Sequence, residues 1–402
     1  MGSGRRAGPT PAASGVLEAY SIEDLRQRAR RRLPRSVFDF FDGGAEDERT
    51  LRGNAAAFGE VKLAPRALVD VSRLDTATTL LGKASPLPIV VGPTGAVGFG
   101  WRDGDLAIAR AACRAGLPYA LSTTATLGLE RLAREVDGHL WFQAYILRKR
   151  EFTYSLIERA QAAGYSALMI TVDLPVGGKR ERDLRNDFAI PFRFTRRNVL
   201  DFATRPRWAL SMLRHGTPVL ENLKGLDAGP ATATSLASSV GRNYDPSFDW
   251  SGLREIRERW KGSLVLKGIV RPDDACRAVD AGCNAIVVSN HGGRQLDGCV
   301  ATLEALPRVA AAVGDRAEVY LDGGIRRGAD IVKALALGAK AVLLGRATLY
   351  GACAAGEAGA ARAIDILDSE LRRTMQLCGA RNLQEISRDL VWPPAGLGHS
   401  IR

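Results

Sequence analysis

The segment "SNHGGRQLD" (289–297) places His291 and Arg294 three residues apart, directly after the apolar run "AIVV". A neutral imidazole can accept a proton near pH 7, and a guanidinium can hold a carboxylate through two parallel hydrogen bonds. The chain has only four histidines, which makes a histidine at a strand end worth explaining. Taken alone, the same residues also fit a tight turn with solvated side chains. The rest of the chain distinguishes the two interpretations.

Other side chains suited to the same chemistry also follow apolar runs. Lys267 follows "SLVL", where a cation is costly unless an anion meets it. Asp173 follows "ALMITV" and suits either a carboxylate that orients an imidazole or the N-cap of a helix. Arg180 and Tyr145 are further candidates for holding a carboxylate, together with the arginine of the histidine motif. The pattern predicts a general base beside a site for an acid.

A second constellation, "LDGGIRRGADIVKALALGAKAVLLGRA" (321–347), combines glycine turns with arginines. Gly324 and Gly345 let backbone N–H groups approach an anion, and a helix N-terminus favours its charge. Arg326 and Arg346 can pair with phosphate through their forked donors. Ordinary turn glycines beside surface arginines are the alternative. Two glycine–arginine turns on successive strands instead predict a phosphorylated ligand, and specifically a nucleotide cofactor.

Apolar runs of strand length alternate with helical segments that often end in glycine. The runs are 87–94, 117–123, 140–146, 167–173, 263–270, 285–290, 318–324 and 341–347. Near-continuous apolar runs are typical of parallel strands that are buried on both faces. Eight such strands predict an α/β fold, a (β/α)8 TIM barrel, with an open doubly wound sheet as the structural alternative.

In a TIM barrel the chemistry lies at the carboxyl ends of the strands. Polar, glycine and ionisable residues stand at these ends in strand after strand. They are Pro93, Thr94, Gly95, Ser122, Gln143, Tyr145, Thr171, Asp173, Lys267, His291, Arg294, Asp322, Gly324, Arg326, Gly345 and Arg346. A barrel without a ligand would not need this placement, so we expect the two constellations to meet at one mouth.

The domain organisation follows from the same pattern. The first residues, "MGSGRRAGPTPAASG", predict a flexible tail over 1–19, and 391–402 is expected to be a second tail. Residues 20–390 are expected to form one barrel domain that begins with a helical segment. The gap between the fourth and fifth strands is too long for one βα unit, which predicts an insertion over 174–249.

Composition narrows the possible partners. The net charge of +12 favours anionic partners, but the chain has neither zinc-ligand spacing nor a basic–aromatic RNA-binding signature, so we expect no metal and no nucleic acid. The six cysteines form no CxxC pair, which suits reduced thiols in the cytoplasm. No apolar run reaches the ~18 residues needed to span a bilayer, and the N-terminus lacks a secretory signal.

One segment of the insertion, "FRFTRRNVLDFATRPRWALSMLRHG" (192–216), mixes arginines with aromatic and aliphatic residues. The arginines are Arg193, Arg196, Arg197, Arg205, Arg207 and Arg214, and the apolar residues include Phe192, Phe194, Leu200, Phe202, Trp208, Leu210, Met212 and Leu213. Such a mixture predicts a surface that lies on an anionic membrane. A lid that packs on the barrel or on a neighbouring subunit is the alternative.

Together these motifs resemble the FMN-dependent α-hydroxy-acid dehydrogenases and oxidases, from about Tyr20 to Ile386. "LPRSVFDFFDGGAEDE", "GPTG", "WFQAYI", "TVDLPVGGKRERDLRN", "VLKGIV", "SNHGGRQLD" and "LLGRA" occur in the order of that family. The resemblance is strongest to the bacterial branch that oxidises (S)-mandelate. It implies an FMN cofactor and oxidation of an (S)-2-hydroxy acid, aromatic as in (S)-mandelate, to the 2-oxo acid. It also implies a membrane quinone as electron acceptor.

The resemblance further implies roles for the residues at the strand ends. His291 takes the α-proton, or accepts the hydroxyl proton if a hydride is transferred, and Asp173 orients it. Arg180 and Arg294 bind the substrate carboxylate, Tyr145 contacts the substrate, and Lys267 lies near flavin N1 and O2. The remaining assignments are Pro93, Thr94, Gly95, Ser122, Gln143 and Thr171 to the flavin ring, Asp322 to the ribityl chain, and Gly324, Arg326, Gly345 and Arg346 to the phosphate.

Two positions depart from the family pattern. Phe40 stands where the family usually has a tyrosine whose hydroxyl helps to bind the carboxylate. Gly95 stands where many relatives have alanine, and we expect it to leave room for a bulky or aromatic substrate, with ordinary loop variation as the alternative.

The resemblance also implies a homotetramer on the inner face of a bacterial cytoplasmic membrane. A soluble oxidase that makes hydrogen peroxide and a non-catalytic flavin-binding protein are the alternative functions.

Overall fold

Strands and helices alternate along the chain in the order that the sequence pattern predicts. The computed structural model describes residues 18–188, 195–226 and 243–392. Within these residues, eight parallel strands close into a barrel. The predicted TIM barrel is therefore confirmed, and the open doubly wound sheet is excluded.

The barrel strands coincide with the eight apolar runs. Three short strands precede them: β1 (Lys62–Leu63), β2 (Thr78–Leu80) and β3 (Lys83–Ser85). The barrel consists of β4 (Ile89–Val91), β5 (Tyr119–Ser122), β6 (Leu140–Tyr145), β7 (Ala167–Thr171), β8 (Ser263–Ile269), β9 (Ala285–Val288), β10 (Glu318–Leu321) and β11 (Ala341–Leu344). β2 and β3 form a hairpin. Its Leu80 packs into the barrel interior, at the end where the barrel strands begin.

Successive residues of each barrel strand are buried on opposite faces. Val90, Trp141 and Met169 belong to the cluster inside the barrel, whereas Val91 and Phe142 pack outward with the helices. Burial on both faces is the reason that the strands read as continuous apolar runs rather than as alternating ones.

The helices surround the barrel. In chain order they are α1 (Ile22–Arg32), α2 (Arg35–Asp42), α3 (Arg49–Glu60), α4 (Gly104–Arg114), α5 (Leu129–Glu135), α6 (Arg150–Ala162), α7 (Glu181–Arg185), α8 (Arg196–Ala203), α9 (Pro206–His215), α10 (Trp250–Arg259), α11 (Pro272–Asp280), α12 (Thr302–Val313), α13 (Gly328–Ala336) and α14 (Arg346–Cys378). α14 is interrupted at Ala355 and Gly356, where the backbone is not helical. α1 to α3 form the N-terminal helical segment that the sequence predicts.

The described chain extends slightly past the predicted domain limits of 20 and 390. Ala19 is buried, and its carbonyl accepts hydrogen bonds from Arg362. Val391 and Trp392 form strand β12, which pairs antiparallel with β1. The remainder of the two predicted tails, 1–17 and 393–402, lies outside the described residues.

The insertion leaves the barrel after β7 and is fastened to the N-terminal helices. The Asp201 carboxylate accepts hydrogen bonds from the backbone N–H groups of Arg35 and Ser36, at 2.9 and 3.0 Å. The indole of Trp208 donates to the carbonyl of Phe99 at 2.8 Å. Residues 189–194 and 227–242 of the predicted insertion are outside the described part of the chain.

The structure divides the apolar side chains of 192–216 into two groups. Phe202 and Trp208 are buried and pack together with ring centroids 5.0 Å apart, so they do not belong to an exposed surface. Leu200, Leu210 and Leu213 are 70%, 63% and 82% exposed. Helical spacing predicts an amphipathic face, but the tertiary contacts decide which side chains point inward.

Phe192, Arg193 and Phe194 lie outside the described residues, as do the side chains of Arg196 and Arg197. Among the helices that the structure describes, none is long and apolar enough to cross a membrane.

A buried carboxylate, Asp42, joins four helices near the barrel mouth. It accepts hydrogen bonds from Arg26 at 2.6 and 2.9 Å, from Tyr350 at 2.7 Å and from Arg182 at 3.2 Å. Burial alone would raise the pKa of Asp42, but the hydrogen bonds from Arg26 and Tyr350 lower it to about 2. The carboxylate therefore ties the start of the insertion to the N-terminal segment and to α14.

Asp42→Asn should destabilise the protein by about 2 kcal/mol at pH 7, because the folded-state pKa lies well below the ordinary value of 3.8. A lowered pKa contributes stability that is present above the unfolded-state pKa and is lost as the pH falls toward 2. The difference between variant and parent should therefore shrink below about pH 4. Denaturant unfolding at both pH values measures it, with Asp280→Asn, an exposed ion-pair partner of Arg316, as the matched control. Equal losses for both variants would contradict the role of Asp42.

Candidate active site

The loop after β9 has a backbone of unusual handedness. His291, Gly292 and Gly293 follow one another with φ of 58°, 62° and 74°. A side chain at Gly292 would lie 2.7 Å from the Arg346 guanidinium, and one at Gly293 would lie 2.4 Å from the backbone nitrogen of Leu51. The two glycines are therefore required by conformation and by close approach, whereas the histidine tolerates its strained angle.

His291 and Asp173 form the central pair of the site. His291 Nδ1 lies 2.8 Å from Asp173 Oδ1, and Nε2 lies 3.5 Å from the Tyr145 hydroxyl. Asp173 can approach because its neighbour on β8 is Gly268, at φ 108°, where a Cβ atom would lie 2.7 Å from Asp173. The carboxylate fixes the proton on Nδ1 and leaves Nε2 free to accept one.

The charge states of His291 and Asp173 suit His291 as a general base. Burial lowers the pKa of His291, although Asp173 acts in the opposite direction, so the imidazole is neutral at pH 7. Burial would raise the pKa of Asp173, but His291 and Lys267 lower it overall, so Asp173 is ionised. A neutral imidazole held by an ionised carboxylate can take a proton and be stabilised as the cation.

Two arginines lie over the ring of Phe40. The guanidinium carbons of Arg180 and Arg294 are 5.4 and 5.5 Å from its centroid, within the range of cation–π interactions. Phe188 stacks on Phe40 with centroids 4.9 Å apart. Phe40 has no hydroxyl to donate, and its ring instead holds both arginines on one side of the cavity.

The two arginines have too few acidic partners to balance their positive charges. Arg180 forms an ion pair with the buried Asp183 at 3.0 Å, and Arg294 donates to the carbonyl of Gly43 at 2.7 Å. Burial and the neighbouring charges of Arg180 and Arg346 together lower the pKa of Arg294 to about 9. An anion such as the carboxylate of a bound acid would relieve this repulsion if it lay between the two arginines.

A third cation, Lys267, lies on the other side of His291. Its ammonium is 3.0 Å from the Ser289 hydroxyl, 3.3 Å from Asp322 and 3.9 Å from Asp173. Burial would lower the pKa of Lys267, but Asp322 and Asp173 outweigh burial and raise it. Lys267 is therefore charged although it is almost completely buried.

Polar side chains at three neighbouring strand ends form a chain of hydrogen bonds. The Ser122 hydroxyl donates to Gln143, and the Gln143 amide donates to the Thr171 hydroxyl, each at 3.0 Å. The parallel register places Ser122 beside Gln143 and Thr171 beside Lys267. Gln143 and Thr171 line the cavity, and Ser122 lies behind them.

The opposite end of the cavity combines glycines and arginines. Gly324, Arg326, Gly345 and Arg346 all line it, as the sequence predicts. In this structure Arg326 donates to the carbonyl of Ile325. Arg346 donates to the carbonyls of Phe41, Gly43 and Gly292.

The residues that line the cavity fit FMN. The hydroxyl of Thr94 and one oxygen of Asp322 are buried without a hydrogen-bond partner, and both residues line the cavity. Buried polar atoms are normally paired, so unpaired ones that face a cavity indicate a polar ligand. The two Gly-Arg turns suit its phosphate, and Pro93 to Gly95 with Gln143 and Thr171 suit its ring.

The structure brings the predicted residues together at one mouth. Of the predicted site residues, Ser122 and Asp173 alone are missing from the cavity lining, and each supports a residue that lines it.

Sequence reasoning missed Thr124, Tyr244 and Asp183. Thr124 stands two residues after a strand end, which is a usable signal, but Tyr244 returns from the insertion and Asp183 is recognisable only by its contact with Arg180.

The space beside Gly95 is filled. A Cβ atom on Gly95 would lie 2.1 Å from the Thr124 hydroxyl oxygen and 3.2 Å from its Cβ. Gly95 also lines the cavity, and the expectation that it leaves room for a bulky or aromatic substrate stays a prediction. Gly95 and Thr124 are better regarded as a complementary pair.

Comparisons with known proteins span nearly the whole chain. A family model for FMN-dependent dehydrogenases matches residues 29–393. (S)-Mandelate dehydrogenase of Pseudomonas putida is 42% identical over 370 residues, which are 92% of this chain and 93% of the relative. L-Lactate dehydrogenase of Caulobacter sp. (strain K31) is 43% identical over 372 residues, which are 92% and 98% of the two chains.

Solved structures that are similar to this chain come from the same kinds of enzyme. The monotopic membrane protein (S)-mandelate dehydrogenase superimposes with a TM-score of 0.87 at 42% identity, covering 93% of this chain and 99% of that one. A mandelate oxidase with (S)-4-hydroxymandelic acid gives a TM-score of 0.81 at 38% identity, covering 92% and 98%.

Gly95→Ala should cost about 1–3 kcal/mol of stability, because its new methyl group overlaps Thr124. The same substitution in a Thr124→Ala background should cost much less. Gly53→Ala is the matched control, since a Cβ atom there meets nothing within 4 Å. Denaturant unfolding of the single and double variants measures the coupling, and an equal cost of Gly95→Ala in both backgrounds would show that Thr124 is not the obstacle.

Proposed function

Since the chain belongs to the family of FMN-dependent dehydrogenases, as a 2-hydroxy-acid dehydrogenase, we propose that its substrate is an aromatic (S)-2-hydroxy acid such as (S)-mandelate. The product is the corresponding 2-oxo acid. The observation that carries the proposal is one cavity lined by a neutral imidazole, which a carboxylate holds, by two arginines and by aromatic side chains.

Binding of the acid is assigned to the arginines. The carboxylate pairs with Arg180 and Arg294, whose mutual repulsion it relieves. Phe40 and Asp183 keep the guanidinium groups in place by ring contact and by charge. Tyr145 lies beside the imidazole, where it contacts the hydroxyl or the carboxylate of the acid.

Proton transfer is assigned to His291. Nε2 accepts the α-proton in a carbanion route and the hydroxyl proton in a hydride route, so the accepting atom is the same in both. Asp173 stabilises the resulting imidazolium through Nδ1. When bound, FMN supplies the two-electron oxidation that the amino-acid side chains cannot perform.

The cofactor assignments follow the geometry of the cavity. Lys267 presents a positive charge on the cofactor side, where it favours negative charge on the ring. Asp322 is assigned to the ribityl chain, and Gly324, Arg326, Gly345 and Arg346 to the phosphate. The backbone of Pro93, Thr94 and Gly95 is assigned to the ring with Ser122, Gln143 and Thr171, although Ser122 acts through Gln143.

The aromatic preference is supported by the cavity wall. Phe40, Tyr145 and Tyr244 line the cavity beside the arginines, and the rings of Tyr145 and Tyr244 lie 5.2 Å apart. Aromatic walls favour aromatic ligands over small ones, which distinguishes mandelate from lactate. Relatives named L-lactate dehydrogenase are equally similar in sequence, so a comparison of mandelate with lactate tests the proposal directly.

We assign the electron acceptor to a membrane quinone and the location to the inner face of the cytoplasmic membrane. Leu200, Leu210 and Leu213 are exposed, and the exposed Arg207 and Arg214 stand about one helical turn from Leu210 along α9; we refer to these residues as the patch. Leucines flanked by arginines suit the boundary between anionic head groups and acyl chains. The similar (S)-mandelate dehydrogenase is a monotopic membrane protein. A homotetramer, implied by the family resemblance, completes the proposed assembly.

A soluble oxidase that passes electrons to oxygen is the second candidate. The similarity to a solved mandelate oxidase favours it, because that enzyme shares the fold and much of the sequence. The two candidates differ in the acceptor and share the first half of the reaction.

The first experiment mixes the FMN-loaded protein, without air, with (S)-mandelate, (R)-mandelate, L-lactate and glycolate in turn. (S)-Mandelate should bleach the visible flavin absorbance fastest, because its ring meets the aromatic wall, and (R)-mandelate should not bleach it. Fastest bleaching by L-lactate would refute the aromatic preference. Bleaching by no acid would favour a flavin-binding protein without this activity, and rapid reoxidation by air would favour the oxidase.

Leu210→Gln combined with Leu213→Gln should weaken binding to vesicles that contain phosphatidylglycerol by at least about tenfold, because two exposed leucines lose their apolar contact with the bilayer. Point substitutions are preferable to removal of the segment, which would also remove the buried Trp208. Leu68→Gln with Leu377→Gln is the matched control, since both leucines are exposed elsewhere. Vesicle sedimentation that is unchanged by the first pair, or reduced equally by both, would refute the patch.

A further inference from the structure

Tyr244 stands where the insertion returns to the barrel. It forms an antiparallel bridge with Leu147, just beyond the end of β6. On either side of it, Arg148 N–H donates to the carbonyl of Asn243 at 2.7 Å, and Asp245 N–H donates to the carbonyl of Ile146 at 3.0 Å. Three consecutive residues are therefore held against the end of a barrel strand.

Side-chain contacts reinforce this attachment. Asp245 pairs with Arg150 at 2.7 Å and accepts hydrogen bonds from both the backbone and the hydroxyl of Ser247. Residues 227–242, which precede Tyr244 in the chain, are outside the described part of the structure, but Tyr244 itself is fixed by β6 and α6.

The ring of Tyr244 faces the substrate side of the cavity. It lines the cavity together with Tyr145, Arg180 and Arg294, and its centroid lies 5.2 Å from that of Tyr145. A second cavity lies on its other side, between Phe248, Trp250 and Leu253. Tyr244 therefore separates the substrate side of the active site from this neighbouring space.

The hydroxyl of Tyr244 is an available donor. Burial raises its pKa well above the ordinary value, so the phenol keeps its proton at pH 7. Within the described residues, this hydroxyl makes no hydrogen bond to another residue. Tyr145, in contrast, has its hydroxyl 3.5 Å from His291. A partly buried phenol without a partner is unfavourable until a ligand supplies an acceptor.

We propose that the Tyr244 hydroxyl donates a hydrogen bond to the carboxylate of the bound 2-hydroxy acid, as a third donor beside Arg180 and Arg294. Phe40 offers the arginines only its ring face and has no hydroxyl to donate to the carboxylate. This inference rests on the proposed function, because it requires a carboxylate between the arginines. It makes the returning end of the insertion a determinant of acid binding.

The test is calorimetric titration of the oxidised, FMN-loaded protein with two unreactive acids, benzoylformate and oxalate. Tyr244→Phe should raise the dissociation constants of both by about tenfold or more, because a hydrogen bond to a charged group is lost while the ring remains. FMN content and the flavin spectrum should not change. Tyr154→Phe is the matched control, since its hydroxyl bonds to Glu255 away from the cavity.

The outcomes separate the alternatives. Weaker binding of both acids by Tyr244→Phe, with Tyr154→Phe unchanged, supports the inference. Unchanged binding of both acids overturns it, and weaker binding of benzoylformate alone overturns it too, since the hydroxyl would then face the aromatic side chain. If the parent protein binds neither acid, the proposed function itself fails and the inference fails with it.

Discussion

Five cationic side chains line one cavity at the barrel mouth: Arg180, Lys267, Arg294, Arg326 and Arg346. Each has lost most of its hydration, and the nearby carboxylates compensate for only part of the charge. Asp183 pairs with Arg180, and Asp322 pairs with Lys267, but Arg294 and Arg346 donate to backbone carbonyls. A buried excess of positive charge is unfavourable unless anions balance it, so the feature that costs stability also favours binding of a phosphorylated cofactor and of an acid.

This excess of charge explains why three parts of the chain meet at the mouth. The barrel supplies Lys267 and His291 from strand ends, and the insertion supplies Arg180. The N-terminal helices supply the Phe40 ring and the carbonyls of residues 41 and 43, which accept from the arginines. Asp42, between those carbonyls, fixes the helices to one another through Arg26 and Tyr350. Ion pairs and buried hydrogen bonds therefore help to hold the scaffold around the site.

Sequence reasoning locates the parts of the site that depend on periodicity. A continuous apolar run defines a buried parallel strand, and the barrel geometry then places its last residues at the mouth, so His291, Lys267 and Gln143 are found without any structure. Contacts between distant segments are a different matter. Tyr244 lies in a segment whose sequence shows no strand or helix pattern. The contact of Thr124 with Gly95 is visible only when the structure brings the two loops together. The segment 192–216 shows the same limit, because its composition predicts an amphipathic surface but not that Trp208 turns inward.

The "HGGR" loop illustrates how a motif mixes two kinds of information. His291 and Arg294 carry chemical groups, whereas Gly292 and Gly293 record only a left-handed backbone and the nearness of Arg346 and Leu51. The glycines would persist in a descendant that had lost the base, since the loop would still need its handedness to close over the cavity. A search of genomes that weights all four letters equally would therefore group working dehydrogenases with inactive copies, and only the first and last letters would tell them apart.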